Sequence, residues 1–248
     1  GFVNQASAGA PTDSRVLATG LTGEAREDGP STFVKCYHDG VAELLRDREF
    51  HFARLAHASG VPTPEPLARI EMDGAPAIRF ARSPGEGLDR WARPRPWRWR
   101  SCAARLAALH AQLHVVHAEP DFDIDRPRQA QLYRHLIESA SPLTDEQRAI
   151  CLEVLERPSR RERLCHGNLA PGSVLIDNRD LSVTDWSLAS TGDPVLDVAT
   201  TRVAVHAFSA QVDASRVFVQ LLRSAGNLYV DTYLKIAERP PSRAELES

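Results

Sequence analysis

Up to about residue 97 the chain is written in short β-like runs, and beyond it mostly in helical periods; this switch most constrains the fold. The early runs are "RVLATGL" at 15–21, "STFVKCY" at 31–37, "PLARIEM" at 66–72 and "APAIRFAR" at 75–82. Turn residues separate them, so they predict a small antiparallel sheet, with "TGEAREDGP" read as the hairpin connection between the first two. One helix interrupts the strands at about 41–58, where Leu44, Leu45, Phe52, Leu55 and Ala56 keep helical spacing and Gly60 with Pro62 ends it. After residue 97, "SCAARLAALHAQLHVVHA" and "TDEQRAICLEVLER" read as helices, the second opened by Thr144 as N-cap with Gln147 three residues on. A single β-like island, 163–188, lies between these helices and the last ones. The expectation is an α+β chain of two lobes: a β-rich lobe over 1–82, a hinge and linker over 83–96, and a helical lobe over 97–248 that carries the island. A ligand then belongs in the cleft between lobes.

Composition narrows the class. A chain of 248 residues, 42% hydrophobic, can bury a substantial core. No apolar run is long enough to span a membrane, and the first residues lack a secretory signal. Cys36, Cys102, Cys151 and Cys165 fall singly, without metal or disulfide spacing, so reduced thiols and a cytoplasmic setting are expected. A formal charge of −3 gives no general attraction to polyanions, so electrostatic recognition has to be local and nucleic acid is disfavoured.

The chemistry sits in the island. "HGNLAPGSVLI" followed by "VTDWSLASTGDPVLDVA" resembles the aminoglycoside phosphotransferase and choline kinase-like family, which has a protein kinase-like fold. That family is signed by His-Gly-Asp, an Asn five residues after that Asp, and a later Asp-Trp or Asp-Phe metal motif. Position 168 falls where the catalytic Asp belongs, position 173 where the metal-binding Asn belongs, and Asp185 at the second metal ligand. The same logic serves protein kinases, where the Asp accepts the hydroxyl proton and the other two hold magnesium. The resemblance further implies that Lys35 in "FVKCY" binds phosphate, that Glu49 on the next helix is its ion-pair partner, that "FARSPGEGL" is the inter-lobe hinge, and that His166 holds the catalytic loop beside position 168. By position, "SAGAPTDS" at 7–14 is the phosphate loop, with Ser7 and Gly9 able to cradle phosphate through backbone N–H groups after a first strand near 1–5. The implied cofactors are ATP and Mg2+.

Two positions depart from the pattern. Asn168 has no charge to accept a proton at neutral pH, though its oxygen can still accept a hydrogen bond. Ser173 offers magnesium one oxygen on a shorter arm. The expectation is therefore an ATP-dependent phosphotransferase acting on a hydroxyl of a small molecule or a Ser/Thr peptide with an impaired base. The alternative is a pseudokinase that binds or scaffolds without catalysis.

Other constellations take plainer readings. His110, His114 and His117 share a helical face but lack an HExxH glutamate, so they read as structural histidines. "PGSVL" fails the GxSxG hydrolase pattern because Leu175 stands where Gly is needed. Asp197 is expected to anchor the loop and Asp193 to cap the next helix. "RWARPRPWRWR" at 90–100 holds five arginines and three tryptophans in an acidic chain. It could grip an acidic peptide, a phosphate-rich ligand or single-stranded nucleic acid, or the tryptophans could bury while the arginines cover the rim.

Overall fold

The computed structural model describes residues 15–20, 22–38, 43–117, 129–139, 143–155, 162–211 and 216–238. Its elements in order are β1 (Val16–Thr19), β2 (Gly23–Glu27), β3 (Thr32–Tyr37), α1 (Glu43–Ala58), β4 (Pro66–Met72), β5 (Ala75–Ala81), β6 (Glu86–Gly87), α2 (Leu88–Ala92), α3 (Arg98–Leu113), α4 (Gln129–Ser139), α5 (Asp145–Leu155), β7 (Arg163–Cys165), β8 (Val174–Asp177), β9 (Asp180–Val183), β10 (Ser190–Gly192), α6 (Pro194–Gln211) and α7 (Arg216–Ile236). The early strands form one antiparallel sheet in the order β1-β2-β3-β5-β4, and the later residues are mainly helical, as the switch in periodicity predicts.

The sheet departs from expectation at one strand. Gly23–Glu27, read as hairpin connection, is a strand paired on both sides, Ala25 opposite Ala18 and Lys35. "GEARE" has no β-branched or aromatic residue to announce it, and its place is set by its two neighbours rather than by propensity. Glu24 and Arg26, two apart on one strand face, pair at 3.2 Å and satisfy each other there. The β4–β5 hairpin turns at Asp73–Gly74, both at positive φ (53° and 78°), the backbone of a tight two-residue connection.

The Thr144 cap is formed as the spacing predicts. Gln147 N–H donates to Thr144 Oγ1 at 3.2 Å, and Thr144 N–H donates to Gln147 Oε1 at 3.0 Å. One hydrophobic cluster runs from Tyr37, Phe52, Ile78 and Phe80 on the sheet side to Leu106, Leu113, Trp186 and Tyr229 among the helices, so the two halves share a core. All four cysteines are free thiols. No described helix is long and apolar enough to cross a membrane.

The island is built from β7 with β10 and from a second small sheet, β6-β8-β9, which ties the end of the 80–88 stretch to the strands that follow the His166–Ser173 loop. That tie depends on Gly85, at φ 115°, where a Cβ would come within 2.5 Å of the Ile176 carbonyl. Two further bonds clamp the α1–β4 connection to the island. Val183 N–H donates to Pro62 O at 2.7 Å, and Thr63 Oγ1 donates to Val183 O at 2.7 Å while accepting from Trp186 Nε1 at 2.9 Å.

Candidate active site

The central ion pair comes from β3 and α1. Lys35 alternates with buried Val34 and its ammonium lies 2.7 Å from Glu49 Oε2 and 3.0 Å from Oε1. The same ammonium reaches across 150 positions of sequence to Asp185 Oδ1 at 2.7 Å. Burial alone would depress the Lys35 pKa, but Glu49 and Asp185 together hold it above its ordinary value. For the fully buried Glu49, burial outweighs Lys35 and raises the carboxyl. For Asp185 burial acts upward too, but Lys35 wins and the pKa falls.

Sequence reading missed Tyr37, whose hydroxyl donates to Glu49 Oε2 at 2.7 Å. The signal was there: Tyr37 stands two residues after Lys35 on one strand, hence on the same face. It also missed Ser187, which donates to Asp185 Oδ1 at 2.9 Å. Both contacts of Asp185 fall on Oδ1. Asp185 itself sits in the left-handed region (φ 66°, ψ 62°), a conformation that a non-glycine residue holds only where its surroundings impose it.

The loop from His166 to Ser173 is held from behind. Asp197, at the first turn of α6, accepts His166 N–H at 2.6 Å and Gly167 N–H at 2.7 Å, which anchors the loop as expected. His114 Nε2 lies 3.2 Å and His110 Nε2 3.3 Å from Asp197 Oδ2. An ionised carboxylate only accepts, so His114 Nε2 carries the proton and its Nδ1 accepts from the Tyr233 hydroxyl at 2.8 Å, while His110 hydrogen-bonds the Tyr229 hydroxyl through Nδ1. Against its own burial, Asp197 is pulled well below the carboxylate range by these two histidines, while burial lowers the His110 pKa and keeps that ring neutral. The three side chains place their ligand atoms within 4.8 Å of one another, and this hydrogen bonding accounts for the cluster. His117 stays apart, in a β-bridge with Arg163. Asp193 caps α6 by accepting Val195 N–H at 3.0 Å.

His166 is fully buried, with Nε2 3.0 Å from Thr184 O and Nδ1 3.3 Å from Asn168 N. Both ring nitrogens are used, so its place is that of a loop support. Gly167 has φ 79° and lies against the Leu188 backbone where a Cβ would fit only with displacement. Gly167→Ala is expected to cost about 2 kcal/mol or more in stability, from left-handed strain plus that overlap; denaturant unfolding measures it, and an unchanged midpoint contradicts the geometry.

Asn168 is half-buried, and its side chain has no hydrogen bond among the described residues. Ser173 differs from its expected role. It is 6% exposed, and its Oγ accepts Ala170 N–H at 3.0 Å and lies 3.0 and 2.9 Å from the carbonyls of Asn168 and Ala170. The hydroxyl's single proton and one lone pair are spent closing the loop on itself. For a cation carried by a nucleotide, Asp185 is thus a suitable carboxylate with Oδ2 outside the Lys35 and Ser187 contacts, whereas the Ser173 hydroxyl is engaged within its own loop. The candidate phosphate-loop residues Ser7 and Gly9, and the strand near 1–5, lie outside the described residues.

With this geometry in view, the sequence profile of the phosphotransferase enzyme family matches residues 15–231. The chain belongs to that family. No curated protein sequence matches it. Among solved structures it resembles aminoglycoside-3'-phosphotransferase of type VIII, at 18% identity over 95% of this chain and 90% of that one, with a TM-score of 0.65. It also resembles a choline/ethanolamine kinase family protein from Mesorhizobium loti (17% identity, 94% and 72% covered, TM-score 0.60). A third is the aminoglycoside phosphotransferase APH(3'')-Id from Streptomyces rimosus in complex with ADP and streptomycin (18% identity, 90% and 86% covered, TM-score 0.61). At these identities the likeness establishes the kinase-like fold of this phosphotransferase-family member.

Proposed function

We propose that this chain binds ATP between its lobes and transfers the γ-phosphate to a hydroxyl of a small molecule, at a rate held down by Asn168. The observation that carries the reading is Lys35 Nζ, 2.7 Å from Glu49 and 2.7 Å from Asp185, which leaves the phosphate-handling charges assembled around an otherwise altered loop. A small-molecule acceptor is favoured by the streptomycin held in the Streptomyces rimosus relative. A Ser/Thr peptide would need the same hydroxyl chemistry.

In this reading Glu49 and Tyr37 fix the Lys35 side chain, and Lys35 meets the phosphates when they displace its contact with Asp185. Asp185 would hold a divalent cation, Mg2+ in the resembling family, and the ion would supply neutralisation of phosphate charge. Positioning and charge neutralisation provide most of the acceleration in phosphoryl transfer. Asn168 can accept a hydrogen bond from the acceptor hydroxyl and orient it, but it cannot take the proton at neutral pH.

Calorimetry and thermal shift with ATP and Mg2+ test the binding: a saturable heat and a rise in Tm are expected. No heat and no shift at millimolar nucleotide overturns the proposal. The inward Ser173 hydroxyl favours a second reading, a pseudokinase that binds nucleotide without turnover. It gains if bound ATP is never consumed in the presence of any acceptor hydroxyl.

A further inference from the structure

The stretch 90–100 is absorbed by neither the cleft nor, in full, the core. Two of its tryptophans are structural. Trp99 is 4% exposed, and Trp91 has the guanidinium of Arg98 at 4.2 Å and that of Arg105 at 5.8 Å from its ring centre, with Arg98 also donating to the Trp91 carbonyl at 2.9 Å. The third, Trp97, is 69% exposed. Around it Arg90, Arg93, Pro94, Arg95, Pro96 and Arg100 are all exposed. Among the described residues the one carboxylate within ion-pair reach of these four guanidiniums is Asp89, 4.0 Å from Arg93.

The backbone that displays them is fixed. Arg95 N–H donates to Ala92 O at 3.1 Å, Arg98 N–H to Arg95 O at 2.9 Å and Trp99 N–H to Pro96 O at 3.2 Å, and the two prolines lock their own φ. A preordered backbone removes part of the entropy that docking otherwise costs. A concentrated positive face on a chain of net charge −3 is complementary to an acidic ligand locally, while the whole molecule is not attractive to a long polyanion.

We infer that this face docks an acidic peptide segment of a partner protein, with Trp97 covering an apolar side chain and Arg90, Arg93, Arg95 and Arg100 pairing with carboxylates. Arginine and tryptophan are the residue types in which interface energy concentrates. Single-stranded nucleic acid fits less well, because it asks for successive stacking aromatics along a basic groove and Trp97 is a single exposed ring. The inference does not depend on the ATP reading.

The test uses the full chain and a labelled peptide of about twelve residues carrying six Asp or Glu and two Leu. Comparators are the same peptide with Lys in place of the acids, and a single-stranded oligonucleotide of equal charge. The acidic peptide is expected to bind, to weaken as salt rises, and to lose about 10-fold in affinity with Arg93→Ala/Arg95→Ala, the sum of two exposed charge pairs. Trp97→Ala is expected to weaken it as well. All three side chains are exposed, so Tm and any nucleotide-induced shift should stay as in the native chain and show that the cleft is intact. Equal binding of acidic and Lys peptides, unaltered affinity in the variants, tighter binding of the oligonucleotide, or self-association of the chain that the variants abolish each overturns the inference.

Discussion

Asn168→Asp should raise ATP-dependent phosphorylation of a competent acceptor by about 100-fold or more, the usual size of a restored general base. The expectation rests on everything around the position being in place. Gly167 and His166 are pinned by Asp197, the Asn168 carbonyl accepts Ala170 N–H at 2.9 Å, and Lys35 holds both Glu49 and Asp185. The substitution swaps an amide for a near-isosteric carboxylate, so it alters proton acceptance and little else. Ser173→Asn alone should give no comparable gain, since it leaves the base missing and removes the hydroxyl that bonds Ala170 N–H and the Asn168 carbonyl. The assay is a panel of aminoglycosides, amino alcohols, sugars and Ser/Thr peptides read by mass for added phosphate. Turnover by the native chain equal to that of Asn168→Asp would show that the amide is not what limits the reaction.

The largest stability effect is expected at Asp197. Three donors converge on its carboxylate, two backbone N–H groups and His114 Nε2, and His110 Nε2 lies 3.3 Å from Oδ2. In Asp197→Asn one oxygen becomes an NH2 that faces donors, and buried groups lose their acceptor. A cost of about 3–5 kcal/mol follows, lowering Tm by about 10 °C in a chain of this size. Asp193→Asn is the internal control, because Asn caps a helix about as well as Asp does. The pH dependence has a definite sign. The folded pKa of Asp197 lies well below its unfolded value of about 4, so its stabilisation is full above that pH and is lost as pH falls through the folded pKa. The gap in stability between native and Asp197→Asn should therefore be constant near neutrality and shrink only in strong acid. A gap that closes between pH 7 and 5 would point to the histidines instead.

How far the chain could be read before its structure depended on whether a residue's role was local. The β-to-α switch, the Thr144 capping box and the Asp193 cap are written within a few residues, and the fold displays each. The Lys35–Glu49–Asp185 grouping was legible because its members sit in motifs of fixed register. Strand β2 was not, because pairing on both sides defines it while its composition reads as turn. The loop-closing bonds of Ser173 were not legible for a related reason. Its residue type permits metal ligation, but where a hydroxyl points is decided by the nearest acceptors, here the carbonyls of Asn168 and Ala170 at 3.0 and 2.9 Å. The tyrosines behind His110 and His114 lie 119 positions away in sequence on α7, beyond any local pattern.

The clamp at Pro62, Thr63, Val183 and Trp186 has a mechanical meaning. It joins the segment leading into β4 to the island, while Arg48 on α1 adds a bond to the Ala189 carbonyl at 2.6 Å. The edge of the sheet at β4 is thereby riveted to the island, whereas β1, at the opposite edge, has no such rivet among the described residues. Any opening between sheet and island is therefore expected to pivot on the β4 side and to swing widest at β1. Amide exchange should follow that lever arm, with Val183 N–H among the slowest in the molecule and the β1–β2 amides among the fastest of the sheet.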